Sequence, residues 1–332
     1  VVITLPLYFA VSAAIADPLK IGFVYVGPTG DHGWTYMHDI GRQEIEKEFG
    51  NKVETMYVES VAYGPDSERV MTQMAMNGVD MIFTTSFGYM DPTLNVAKKF
   101  PNVKFEHATG YKTSKNMSVY SSKFYEGRYV QGVIAGHMSK KGKAGYIASF
   151  PIPEVIRGIN AFYLGATSVN PDFDIDVVWV NTWYDPSKEA DAAKVLINQG
   201  SDIITQHTDS PAALQVAQEA GVKAFGQASD MIKFAPDTQL TAILDLWGPY
   251  YIERVRAVLD GTWEESDTWG GMDTGMVAMA PYTNMPDEIK EIAMAVEKDI
   301  LEGKLNIFPG KSVGDLLGMN KYVDGIDAFL PE

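Results

Sequence analysis

Short apolar runs alternate with amphipathic stretches along almost the whole chain, in two successive series. In the first series, residues 20–26 (KIGFVYV) read as a buried strand closed by Gly27-Pro28, 33–49 as a helix, 53–58 as a strand and 66–77 as a helix. Strands at 81–85 and 104–107 flank a helix at 93–99, and a strand at 118–121 leads into a helix at 125–139. The second series runs strand 144–148, helix 153–169, strand 176–180, helix 187–199, strand 202–205, helix 211–220 and strand 223–226. A strand at 239–244, a helix at 248–259 and a last amphipathic helix at 286–301 follow. Strand and helix alternating at this spacing form right-handed βαβ units, with parallel strands and helices on both sheet faces. The expected fold class is α/β, with two doubly wound Rossmann-like lobes.

An internal similarity supports two equivalent lobes. Asn77-Gly78-Val79-Asp80-Met81-Ile82 recurs as Gln199-Gly200-Ser201-Asp202-Ile203-Ile204, so both Gly and Asp repeat at one offset. Each copy leads through a loop to a proline, Pro92 or Pro211, that opens a helix. Glycine just past a helix end accepts the left-handed backbone that stops the helix.

A chain of 332 residues, 46% of them hydrophobic, has material for two cores. Its formal net charge of −16 excludes nucleic acid and anionic membrane as partners, which require a basic footprint, and suits a self-repelling monomer. There is no cysteine, which excludes disulfides, thiolate metal sites, thiol nucleophiles and lipid attachment at an N-terminal cysteine. Residues 1–15 are uncharged and nearly all apolar, and Ala14-Ile15-Ala16 then presents a small-x-small site before Asp17-Pro18. That reads as part of a secretory signal peptide, 1–16. The run is shorter than the roughly 20 apolar residues that span a bilayer. A periplasmic protein, exported and not lipid-anchored, is expected.

In open parallel sheets ligands bind beyond the carboxyl ends of the strands. The loops there carry the aromatics Trp34, Phe87, Tyr89, Phe150, Trp183 and Trp247. They also carry the carboxylates Asp31, Asp209, Asp230 and Asp245, and few cations. An aromatic slot rimmed by acceptors suits a flat heteroaromatic base: the ring stacks, and carboxylates accept from ring N–H or exocyclic amine groups. Enzyme signatures are missing: there is no GxSxG, HExxH or Walker loop, and Gly270-Gly271-Met272-Asp273-Thr274-Gly275 is read as following no strand and has the wrong spacing for a dinucleotide loop. The five histidines show no metal-ligand spacing. No catalytic residue, metal or cofactor is expected. The residues leave open a nucleoside- or sugar-binding protein of the same fold, and a purine nucleosidase or other hydrolase working through cleft carboxylates.

Several segments carry a resemblance. Lys20-Ile21-Gly22-Phe23-Val24 is followed by Gly30-Asp31-His32-Gly33-Trp34; Phe83-Thr84-Thr85-Ser86-Phe87 and residues 96–105 come next; Tyr125-Glu126-Gly127 with Gly132-Val133-Ile134-Ala135-Gly136, and Trp183-Tyr184-Asp185-Pro186 with Lys188-Glu189, complete the set. Together they resemble the basic membrane protein (BMP) family of ABC-transporter binding proteins, which includes purine nucleoside receptors. The resemblance covers roughly residues 19–308. It implies a type I periplasmic binding protein, LacI-like, whose two lobes close on ligand by a hinge and present it to a permease in the inner membrane. It implies lobes at 19–123 plus about 246–262, and at 124–245 plus about 265–332. It also implies that Asp31 and Trp34 line the site, that Trp34 or Phe87 stacks on the base, and that Asp209 faces it from the second lobe.

Two departures sharpen the expected ligand. The family's G-V-D-x-D loop reads Gly226-Gln227-Ala228-Ser229-Asp230, with Ala228 where the ribose-gripping Asp belongs. The T-S-x-x-K strand reads Thr241-Ala242-Ile243-Leu244-Asp245, with Asp245 at the sugar-binding Lys. A site lacking the partners of a hydroxyl discriminates steeply against it. The resemblance so altered implies a purine nucleobase, adenine-like, rather than a nucleoside, with Trp247 filling the vacated space.

Overall fold

The computed structural model describes residues 17–30 and 32–331. The signal peptide expected at 1–16 and the candidate Asp31 lie outside the described residues. The first sheet is built from β1 (Leu19–Val24), β2 (Val53–Val58), β3 (Met81–Thr84), β4 (Lys104–Ala108) and β5 (Met117–Ser122), interleaved with the helices α1 (Gly33–Phe49), α2 (Pro65–Met76) and α3 (Met90–Lys99). After α4 (Tyr125–Met138) come β6 (Lys143–Ala148), α5 (Pro153–Thr167), β7 (Asp174–Trp179), α6 (Pro186–Asn198), β8 (Ile203–His207), α7 (Ala212–Ala220), β9 (Lys223–Gly226) and β10 (Gln239–Asp245) of the second sheet. Then follow α8 (Gly248–Leu259), β11 (Asp267–Gly270), β12 (Val277–Met279), α9 (Asp287–Leu301) and α10 (Val313–Leu317). The strand orders are β11-β5-β4-β3-β1-β2 and β12-β10-β9-β8-β6-β7, parallel throughout except for β12.

The interior strands β3 and β8 are buried at every residue, as strands covered by helices on both faces must be. Each sheet has its own apolar layer. Val24, Met71, Ile82 and Val96 pack in the first, and Ile147, Leu196, Ile204 and Leu214 in the second. The repeated Gly-x-Asp does the same work twice. Gly78 (φ +81°) and Gly200 (φ +105°) take the left-handed backbone after a helix. Asp80 then accepts from the Lys20 amide at 2.9 Å, and Asp202 from the Lys140 amide at 2.8 Å, tying each strand head to a neighbouring segment.

The chain passes between the sheets three times, at 122–125, 245–248 and 270–277. One expectation is corrected here. Residues from about 265 were assigned to the second lobe, but β11 pairs with β5 of the first sheet, Asp267 opposite Val119 and Gly270 opposite Ser122. A four-residue strand holding Trp269, with no helix beside it, leaves too weak a pattern to place from sequence. Beneath the first sheet, Glu106 is fully buried and accepts from Arg254 Nε and Trp263 Nε1 on one oxygen and from the Tyr250 hydroxyl on the other, each at 2.7 Å. This fixes α8 to the sheet. The last segment runs back over the second lobe, where it was expected. Arg157 Nη1 donates to Leu316 O at 2.7 Å, Asn160 Nδ2 to Lys321 O at 2.9 Å, and Trp179 Nε1 to Phe329 O at 2.9 Å.

Candidate functional site

The carboxyl ends of both sheets face each other, and the loops that leave them line a cavity between the lobes. The first lobe supplies Val26 from the loop after β1, Trp34 from the start of α1, Ser86 and Phe87 from the loop after β3, and Thr109 from the end of β4. The second supplies Glu154 from the first turn of α5, Trp183 from the loop after β7, His207 from the end of β8, Asp209 just beyond it, and Gln227 after β9. A second cavity opens beside it, with Phe150, Asn181 and Trp183 on one wall and Val26, Ser60 and Tyr63 on the other.

The lobes touch around this cavity. The Gly33 amide donates to Ser229 Oγ of the other lobe at 2.8 Å. Gly33 has φ +82°, and a Cβ there would stand 2.3 Å from Asp209 O, so only glycine permits this approach. The Trp34 amide also faces the Asp209 carboxylate. The Tyr63 hydroxyl shares a 2.7 Å hydrogen bond with Ser86 and meets Trp183 across the cleft; burial raises its pKa to about 12.

The aromatic walls are held from behind. Trp34 is 9% exposed and anchors its ring by donating from Nε1 to Thr85 O at 2.5 Å. Trp183 packs at a tilt on Phe150, ring centroids 5.3 Å apart, and on His207 at 5.9 Å. Polar groups at the cavity are left with unused capacity. Asp209 Oδ2 and His207 Nδ1 are buried with no hydrogen-bond partner among the described residues. Burial first, and the nearby Glu189 next, pushes the Asp209 carboxyl well above its usual range. Burial, helped by the Arg128 and Arg157 charges, holds His207 well below its usual value, so its ring is neutral. Gln227 lends its oxygen to Arg128, whose terminal nitrogens also donate to Gln131, Thr205 and the Gln206 carbonyl. That guanidinium is spread over the Phe124 and Tyr146 rings.

Of the residues singled out from sequence, Trp34, Phe87, Trp183 and Asp209 line the cavity. Phe150 lines the adjoining one. The others point elsewhere. Tyr89 turns back into the first lobe, where its hydroxyl donates to Val61 O at 2.6 Å and to Tyr25 O at 3.2 Å. Asp230 holds its own turn, accepting from the Ile232 amide at 3.1 Å and from Gln239 Nε2 at 2.8 Å. Trp247 is 1% exposed and stacks on His38, centroids 4.7 Å apart and rings nearly parallel, among the aromatics of the first lobe. Asp245 is wholly buried off the cavity wall, both oxygens without a partner within hydrogen-bond distance, facing Ser122 and attracted by Arg128. The sequence reasoning missed Val26, Ser86, Thr109, Glu154, His207 and Gln227. Position at a strand's carboxyl end was the available signal for all but Glu154. A lone loop histidine and a lone loop glutamine carry little weight without it. Among the described residues, no group of three or more His, Asp or Glu side chains is arranged to hold a metal ion, and no helix is long and apolar enough to cross a membrane.

Comparison with known proteins places these features. Residues 19–309 match the family described as ABC transporter substrate-binding protein, PnrA-like. The chain is 61% identical to a purine-binding protein of Brucella abortus, over 97% of this chain and 96% of that one. It is 40% identical to a putative ABC transporter glucose-binding protein of Haloferax volcanii, over 95% of this chain and 82% of the relative. Among solved structures, a solute-binding protein of an ABC transporter system from Aeropyrum pernix superposes with a TM-score of 0.78 at 16% identity, covering 90% of this chain and 95% of that one. A transcriptional activator from Bacillus halodurans superposes with a TM-score of 0.74 at 21% identity, covering 87% and 99%. These likenesses support the two-lobed binding-protein fold expected from sequence.

Proposed function

The chain belongs to the PnrA-like family of ABC-transporter substrate-binding proteins, and from that premise we propose that it captures a purine nucleobase between its lobes, without chemical turnover, and delivers it to a membrane permease. The observation that carries this reading is the cavity itself. It is walled by Trp34 and Phe87 from one lobe and Trp183 from the other, and is lined by Asp209, one of whose oxygens has no partner among the described residues. A flat base fits between such walls, and stacking on an aromatic side chain contributes about 1–3 kcal/mol per base. Asp209 then accepts from, or when protonated donates to, the polar edge of the ring.

The 61% identical relative carries purine binding in its name, which favours this ligand class over the sugar class named for the 40% relative. Delivery follows from closure. Contacts such as Gly33 to Ser229 exist only when the lobes meet, so a ligand touching both lobes shifts the population toward the closed form, which the permease reads. We assign the protein to the periplasm on the family's usual location and on the leader-like residues 1–16.

The test is native mass spectrometry of protein purified without denaturation, then titration calorimetry with adenine, adenosine and glucose. A carried-over or tightly titrating purine base supports the reading. Preference for adenosine would refute the nucleobase assignment, and binding of glucose alone would refute the purine class. A nucleosidase would convert added adenosine to adenine over hours; unchanged adenosine removes that alternative.

A further inference from the structure

Glu154 is the second residue of α5, directly after Pro153, and a carboxylate there is usually explained by the partial positive charge of a helix N-terminus. Three observations go beyond that explanation. The side chain lines the interlobe cavity, on the same lobe as Trp183 and Asp209 and across from Phe87 and Thr109. It also lines the next compartment of the cleft, beside Ser121 and Arg157, so it stands at the junction of the two. Finally, burial raises the Glu154 carboxyl above its usual pKa, an effect that the buried guanidiniums of Arg157 and Arg128 oppose only in part and without forming an ion pair to it. The terminal nitrogens of Arg128 go to Gln131, Thr205, Gln206 and Gln227, and Arg157 Nη1 goes to the Leu316 carbonyl, while the Nε of each has no hydrogen-bond partner among the described residues. Glu154 therefore receives the field of both arginines and a hydrogen bond from neither, and no described residue donates to it.

A cavity-lining carboxyl group that no described residue donates to is left for a donor that enters the cavity. No lysine or arginine lines that cavity to offset it. With Asp209 it gives the ligand two carboxyl groups and one neutral imidazole to meet. We propose that Glu154 is a specificity-determining contact that selects a ring presenting N–H donors, an aminopurine, over a ring presenting carbonyl acceptors at the same edge, a 6-oxopurine. A carbonyl turned toward Glu154 would bury two acceptors against each other, and an unmatched buried polar pair is what makes such discrimination steep. This rests on the purine reading above and names the class within it.

The experiment is calorimetric titration of the full chain with adenine and with hypoxanthine, for the wild type, Glu154→Gln and Glu154→Asp. The wild type is expected to prefer adenine by about tenfold or more. Glu154→Gln, which can donate as well as accept, is expected to move the ratio toward hypoxanthine by about tenfold, whereas Glu154→Asp lowers affinity for both but keeps the preference for adenine. Thermal unfolding of the ligand-free variants checks that they fold. A ratio in Glu154→Gln within about twofold of wild type overturns the proposal and leaves the purine reading standing. Failure of the wild type to bind either base overturns both together.

Discussion

The amide of Asp245 donates to the carbonyl of Ala228 across 2.9 Å, so the two positions where this chain departs from the nucleoside receptors it resembles are neighbours in space. Ala228 is wholly buried with φ +57°, a conformation that aspartate accepts more readily than most residues. Asp245 is attracted by Arg128. A lysine placed there alone would instead be repelled, unless a carboxylate arrives at the adjacent position. The double substitution Ala228→Asp with Asp245→Lys is expected to raise adenosine affinity by about tenfold or more, while Asp245→Lys alone destabilises the fold. Calorimetry and thermal unfolding read the two effects. A double variant with no gain for adenosine would remove the basis of the nucleobase assignment.

Closure depends on Gly33. A methyl group there meets the Asp209 carbonyl at 2.3 Å and is strained by the positive φ. Gly33→Ala is expected to weaken ligand binding by about tenfold or more, because the apparent dissociation constant rises as the competent closed population falls. The lobes themselves should unfold at nearly the wild-type temperature. Small-angle scattering with saturating ligand should show a more open particle than wild type.

The Glu106–Arg254 pair is buried, and both Glu106 oxygens are hydrogen-bonded. Glu106→Ala leaves the guanidinium without its counter-charge and is expected to cost about 3–5 kcal/mol, measured by urea unfolding. Adding Arg254→Met should recover part of that loss. An equal loss in single and double variants would contradict an electrostatic origin.

Burial, ahead of any neighbour, raises the Asp245 carboxyl well above its normal pKa. A raised folded-state value means that the native protein holds the proton more tightly than the unfolded chain. The resulting stabilisation is complete below the unfolded carboxyl pKa of about 3.9 and is lost as pH rises through the folded value. Asp245→Asn cannot ionise, so its stability relative to wild type should increase from acid toward neutral pH. Urea unfolding across that range measures the difference, and a flat difference would show that Asp245 does not titrate with folding.

Two lobes, their strands and most helices were legible because helix and strand periodicities are strong wherever a parallel sheet is buried on both faces. Trp34, Phe87, Trp183 and Asp209 were legible because they sit in loops at strand ends. Side-chain direction was not. Tyr89 and Phe87 share one short turn, but the Tyr89 hydroxyl finds two carbonyls in its own lobe, while Phe87 is left to the cleft. Glu154 was hidden because its position on a helix has an ordinary local explanation. Trp247 follows a strand end like the true wall residues, but its ring is claimed by His38.

The three backbone passages between the sheets lie close together: Gly270 is in register with Ser122, and Val277 with Asp245. A single tether would let two rigid bodies tumble about any axis. Three neighbouring tethers behave as a parallel flexure, stiff to twist and shear and compliant about one line. Opening is then a motion with one degree of freedom, so little orientational entropy is lost when the lobes meet.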